Sequence, residues 1–151
     1  MTVPLMIRRA KPEDLATIVR FNVSLVQEAR GKELDPTTLQ KGVQAVLKDS
    51  YRGFYTVAEM DDQVVAAVLV TFEWSDFSNA WFWWLQDVYV EPNHRQQGIF
   101  RALYQYLKDQ ATRSNACGLR LYVYQGNVKA QAVYEKLGML PSDSLMYEDR
   151  L

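Results

Sequence analysis

Between Trp81 and Tyr124 the chain reads strand, polar loop, helix, strand, and this order limits the folds open to it. Trp81–Val90 is an aromatic and β-branched run. Gly98–Arg113 places Ile99, Leu103, Tyr106, Leu107 and Gln110 at helical spacing, and Leu119–Tyr124 turns apolar and aromatic again. A crossover of this length joins parallel strands and should be right-handed. Upstream, Phe54–Glu59 and Val64–Trp74 read as strands joined by the turn Met60-Asp61-Asp62-Gln63, and Ser75–Asn79 is the next turn. Three strands with short turns form an antiparallel meander. The sheet must therefore be mixed, antiparallel in its first part and parallel across one strand pair.

Helices flank this sheet. Leu5–Arg9 is a short strand. Pro12, Glu13 and Asp14 then suit a helix start, and Leu15, Ile18, Val19, Asn22 and Val26 form a mostly apolar stripe ended by Gly31. Asp35-Pro36 begins a second helix with Leu39, Val43, Val46 and Leu47 at helical spacing. Val128–Leu137 reads as a helix stopped by Gly138, and Leu145–Glu148 as a final edge strand. The predicted order is β-α-α-β-β-β-α-β-α-β, an α+β fold layered α/β/α. The 151 residues suffice for one core, so residues 1–151 are expected to form one domain.

The bulk numbers exclude several classes. A net charge of −1 gives no general pull toward nucleic acid or an anionic membrane. One cysteine, Cys117, and one histidine, His94, form neither a disulfide framework nor a soft-ligand metal site. Cys117 is expected to be a buried structural residue. The N-terminus lacks a signal-like apolar run, and Trp81–Leu85 is far too short to span a bilayer. A cytoplasmic protein is expected.

The chemistry gathers at the junction Arg95-Gln96-Gln97-Gly98-Ile99-Phe100. There a strand end meets a helix start, so unpaired backbone N–H groups converge and the helix dipole favours an anion. Gly98 permits close approach, and Arg95 brings a planar fork suited to phosphate oxygens. R-x-x-G alone is common in ordinary surface loops. Its position at the carboxyl end of a parallel strand is where such sheets bind ligands. Beyond the second parallel strand lie Asn127, able to cap a helix or bond a ligand amide, and Tyr134, able to pack or to donate its phenolic proton.

These residues carry a resemblance. LQDVYVEPNHRQQGIFRALYQYL resembles the acetyl-CoA motif of the GNAT N-acetyltransferase superfamily, with its Q/R-x-x-G-x-G/A loop. YVYQGNVKAQAVYEKLGM resembles the motif that follows it, with Asn127 and Tyr134 in place. LQDVYVEPNHRQQGIF is also similar to diamine (spermidine/spermine) N-acetyltransferases, with Asp76 in the preceding turn lining up without a gap. Two positions depart from the pattern. Phe100 replaces the loop's last Gly or Ala and either covers the cofactor or packs beneath it. Gln86 replaces a glutamate proposed as base, and an amide accepts no proton at neutral pH.

The resemblance implies acetyl transfer from acetyl-CoA to an amine, by direct attack through a tetrahedral oxyanion. An N–H of Val88, Tyr89 or Val90 would hold the oxyanion, and Tyr134 would protonate the leaving thiolate. Arg95–Phe100 and Asn127 would bind the cofactor. For the base, a water held by Gln86 comes first and Glu73 second. Asp87 should point to the sheet face opposite Gln86, by period-two alternation. The acceptor would be a small primary amine, met by Glu28, Glu33, Asp76 and Trp84. A protein or peptide amine, or a non-catalytic CoA sensor, are the alternatives. The hairpin aromatics send Trp81 and Trp83 to one face and Phe82 and Trp84 to the other. One set packs in the core; the other is available to an acceptor pocket or a homodimer contact.

Overall fold

A computed structural model describes residues 3–151. Its five-stranded sheet runs in simple sequence order: β1 Met6–Arg9, β2 Phe54–Met60, β3 Gln63–Ser75, β4 Ala80–Val90 and β5 Gly118–Leu121. The first three pairings are antiparallel and the last, β4 with β5, is parallel. The β2–β3 turn uses Asp61 and Asp62 at φ 50° and 57°, the doubly left-handed geometry that matches the twist of a two-residue hairpin.

Among the described residues four helices cover the sheet: α1 Leu15–Arg30, α2 Pro36–Lys48, α3 Ile99–Arg113 and α4 Val128–Lys136. Pro12–Asp14 forms a separate 3-10 turn ahead of α1. Asp14 anchors that entry, accepting from the Lys11 N–H at 2.7 Å and from Arg8 at 2.8 and 3.1 Å. Gly31 ends α1 at φ 60°. Asp35 caps α2 through the Thr38 N–H at 2.9 Å.

Strand alternation sorts the core into two layers. Val68, Val70, Trp83 and Leu85 pack with Leu103 and Leu107 of α3. Tyr55, Val57, Leu69 and Tyr89 pack on the other face with Ile18 and Phe21 of α1 and Val43 of α2. The expected α/β/α layering and the helix positions hold. The aromatic hairpin also splits as alternation predicts. Trp83 is buried edge-on to Phe54 and Phe72, while Trp84 stacks on Tyr122 at 4.4 Å on the other side.

Two strand expectations need correction. Leu119–Tyr124 pairs only as far as Leu121, because its partner strand bends away beyond Leu85. Leu145–Glu148 forms no strand, so the order of elements ends on α4. A strand exists only by pairing, and no other strand lies against this segment; residues 140–151 are all exposed. No helix of the described residues is long and apolar enough to cross a membrane.

Candidate active site

The site is built by one extra residue in β4. Ala67 pairs with Tyr89, but Leu69 pairs with Gln86, so two steps along β3 oppose three along β4. The surplus is absorbed as a β-bulge at Asp87, whose φ is 52°. A bulge bends its strand. The β4–β5 ladder stops at Leu85–Leu121 while β4 runs on to Val90. Along that stretch the main-chain groups facing β5 have no strand partner, which leaves a notch between parallel strands.

The bulge also overturns the expected direction of Asp87. Leu85 and Val88 both join the α3-side core, whereas Tyr89 joins the α1/α2 side, so alternation breaks between them. Tyr55 on the α1/α2 side feels the Asp87 charge. Burial pushes its phenol up to about 12, an Asn22 hydrogen bond opposes the shift and Asp87 adds to it. Asp87 thus works on the same face as Gln86, whose partner Leu69 lies in that layer. Its carboxylate reaches solvent, yet surrounding protein atoms desolvate it and raise its pKa. The only sequence signal for this is an aspartate inside a strand, a poor strand former.

Gln86 is held in place: its Nε2 donates to Thr71 Oγ1 at 2.6 Å. Its carbonyl oxygen remains to accept a hydrogen bond from water or an amine. Glu73 is otherwise engaged. Its Oε1 accepts from Arg120 at 2.6 Å and from the Trp84 indole at 3.3 Å. Arg120 in turn lies 3.5 Å over the Phe82 ring.

At the end of β4 the chain passes through the 3-10 turn Pro92–His94 into the loop. Gln96 and Gly98 take left-handed φ of 61° and 79°. Gly98 is the N-cap of α3 and supplies no side-chain cap, so the first-turn N–H groups of Ile99 and Phe100 stay available. A Cβ on Gly98 would meet no protein atom within 4 Å, so the space before the helix is open. The Ile99 side chain is core, and the Gln97 amide ties back to the Asn93 carbonyl at 3.1 Å.

Arg95 does not stand free. Its Nε donates to the Val90 carbonyl at 2.8 Å and its Nη2 to Glu28 Oε2 at 2.8 Å. Tyr89 donates to the other Glu28 oxygen at 2.9 Å. Glu28 therefore pins the loop to α1. Glu33 is exposed in the α1–α2 loop. Asp76 sits in the β3–β4 hairpin turn, accepting from the Phe77 N–H at 3.0 Å. Most of β4's length, on the order of 30 Å, separates Asp76 from the loop. Of the four acceptor-side candidates only Trp84 shares a face with Gln86.

Across the notch, Asn127 caps α4 through the Ala130 N–H at 3.1 Å. Tyr134 is half-buried, and burial raises its pKa, so the phenol keeps its proton at neutral pH. The ring of Phe100 meets it edge-on at 5.6 Å and packs against the α3-side core. Phe100 thus lies beneath the loop and wedges Tyr134. Cys117 is exposed at the start of β5, contrary to the expectation of burial. Among the described residues no cluster of three or more His, Cys, Asp or Glu could hold a metal.

A strand end that feeds an uncapped helix through a left-handed glycine is the junction that the sequence resemblance implies, and the bulge in β4 is an addition to it. A model of the acetyltransferase (GNAT) family matches residues 22–139, well over half of the chain. The chain belongs to the GNAT acetyltransferase family. It is an N-acetyltransferase by that membership, and acetyl-CoA is the family's donor. A possible acetyltransferase from Clostridium difficile 630 is 44% identical over 99% of both chains, with a TM-score of 0.91. Two more distant structures share the fold. A predicted acetyltransferase from Clostridium acetobutylicum, solved with acetyl-CoA, is 18% identical over 97% of this chain and 96% of that one, with a TM-score of 0.80. The ribosomal-protein-alanine N-acetyltransferase of Brucella melitensis biovar Abortus 2308 is 19% identical over 98% of this chain and 99% of that one, also at 0.80. No curated protein matches the sequence.

Proposed function

We propose that this chain moves the acetyl group of acetyl-CoA directly onto the primary amine of a small molecule in the reducing cytoplasm. The observation that carries the donor half is the uncapped N-terminus of α3 behind Gly98, opening beside the β4–β5 notch. Unpaired N–H groups and the positive end of a 15-residue helix suit a pyrophosphate. Arg95 acts there by fixing the loop to Val90 and Glu28 rather than as a free phosphate clamp.

The acceptor half rests on the bulge. An ammonium must lose a proton before it attacks, and Asp87 carries a carboxylate whose raised pKa brings it closer to working pH. Asp87 takes that proton as the base, and Gln86, fixed by Thr71, hydrogen-bonds the amine or an intervening water. The stacked rings of Trp84 and Tyr122 offer an apolar wall to the rest of the molecule. A free N–H of Val88, Tyr89 or Val90 stabilises the oxyanion. Tyr134, held protonated by burial, donates to the departing thiolate.

The test is a thiol-release assay with acetyl-CoA against polyamines, amino acids, aminoglycosides and peptides. Turnover is expected with a small amine. Asp87→Asn and Tyr134→Phe should each lower kcat by about 100-fold or more while acetyl-CoA still binds. Turnover confined to peptides would reject the small-molecule assignment. Rates within a few-fold of the native protein in both variants would reject the proton path.

A further inference from the structure

On the face of β4 that carries Gln86, α1 and α2 pack over Leu69 and Tyr89, while Phe82 and Trp84 join neither buried layer. There β5 adds Arg120, in register with Trp84, and Tyr122. Arg120 is not a loose surface cation. Its Nη1 donates to Glu73 at 2.6 Å, and its guanidinium lies 3.5 Å from the centre of the Phe82 ring. Glu73 is itself fixed by the Trp84 indole at 3.3 Å. Phe82 can reach over β5 because residue 118 is glycine: a Cβ there would meet the ring at 2.8 Å. Among the described residues the Nε and Nη2 of Arg120 have no hydrogen-bond partner, and its side chain is 45% exposed. One edge of a planar fork is thus held in orientation and left open. A free guanidinium edge matches a carboxylate with two parallel hydrogen bonds.

We propose that the acceptor carries a carboxylate at the end opposite its reacting amine, and that Arg120 binds it. This rests on the reading above, in which Asp87 and Gln86 receive the amine. The Arg120 guanidinium lies over Phe82 and 6.0 Å from the Trp84 ring, and these residues precede Gln86 by four and two positions. At roughly 3.4 Å per residue, the carboxylate and the amine stand roughly 7–13 Å apart. An extended chain advances roughly 1.25 Å per bond, so about six to ten bonds separate them. Trp84 and Tyr122, stacked at 4.4 Å, lie between the two ends and cover an unbranched apolar stem. The substrate class is an ω-amino carboxylate. A distal ammonium, as in a diamine, would meet the Arg120 charge instead. The Glu73 carboxylate that could hold such an ammonium is engaged by Arg120 and Trp84.

Four unbranched amines test this: 6-aminohexanoate, hexane-1,6-diamine, hexylamine and 4-aminobutyrate. With acetyl-CoA, kcat/KM for 6-aminohexanoate should exceed that of the diamine and of hexylamine by at least about tenfold. 4-Aminobutyrate, too short to reach Arg120, should lose at least about tenfold against 6-aminohexanoate. Arg120→Gln should abolish the preference through KM and turn it toward the diamine, because Glu73 then lacks its cation. A residue that serves the fold alone would not reverse the order of substrates. Arg120→Lys, charged but without the fork, should keep part of the preference. Calorimetric titration of 6-aminohexanoate into CoA-loaded protein reads the carboxylate site without turnover. Binding that Arg120→Gln weakens about tenfold, with no acetylation, sustains this inference while the acetyl-transfer reading fails. Equal turnover of hexylamine and 6-aminohexanoate overturns the inference and leaves acetyl transfer standing. A native preference for the diamine, or an order of substrates indifferent to Arg120→Gln, overturns it too, as does the absence of both binding and turnover.

Discussion

Replacing Gly98 with alanine separates what the loop does for the fold from what it does for the donor. Gly98 sits at φ 79° as the N-cap of α3, and an added Cβ meets no protein atom within 4 Å. The fold therefore loses only the left-handed backbone penalty of about 1–2 kcal/mol. For a domain of this length that lowers Tm by about 2–8 °C. Gly31 provides a matched control. It is also left-handed, at φ 60°, and a Cβ there would likewise meet no protein atom within 4 Å, but it ends α1 instead of starting α3. Gly31→Ala should lower Tm by a similar amount. The two variants should part on binding. If acetyl-CoA lies against the loop, the Gly98→Ala methyl occupies its approach, and titration calorimetry should show Kd weakened by at least about tenfold, or about 1.4 kcal/mol. Gly31→Ala should leave Kd unchanged. A Gly98→Ala protein with the expected Tm loss and native affinity would refute the cradle assignment, whatever the activity.

Asp14 gives a pH prediction. Burial pushes its carboxyl upward, but hydrogen bonds from Arg8 and the Lys11 N–H outweigh that and hold it below the ordinary value. A depressed folded pKa contributes stability above the unfolded value near 4, and that stability is lost as pH falls through the folded one. Asp14→Asn should cost about 1.5–3 kcal/mol at neutral pH and flatten the acid side of the stability curve, as read by urea melts across pH. Asn127→Ala removes the α4 cap and should cost about 1 kcal/mol, with faster amide exchange confined to the first turn of α4. Leu107 has no exposed surface, so Leu107→Ala should cost about 3–5 kcal/mol in denaturant titration; a loss under 1 kcal/mol would mean the α3 layer repacks freely.

The helices and the meander are legible in the sequence because their signals are local. Asp35-Pro36, the Asp61-Asp62 turn and the stripe along α3 each state their conformation within a few residues. The conformation of the loop before α3 is legible for a related reason: a glycine at a strand-to-helix junction has one backbone to serve. Asp87 is not legible in direction, since a bulge is a mismatch between two strands and cannot be read from β4 alone. The tail misleads in the opposite sense. Leu145–Glu148 has strand chemistry, but strand formation needs an edge, and composition says nothing about where one is free. Glu28 illustrates a third limit. Its charge suggests an acceptor role, yet Arg95 and Tyr89, distant in sequence, take both of its oxygens.

The bulge has a consequence for how this sheet tolerates change. Removing one residue at Asp87 would restore the count against β3, bring Val88–Val90 back into alternation and let β4 follow β5 further. The result would be a more regular sheet, and so a candidate for higher stability, with its notch zipped shut. Insertions and deletions in β4 should therefore behave unlike those in the exposed turns. If acetyl transfer runs through this notch, a one-residue loss there should cost activity without unfolding the protein, and length variation at this point would mark relatives that keep the architecture and give up catalysis.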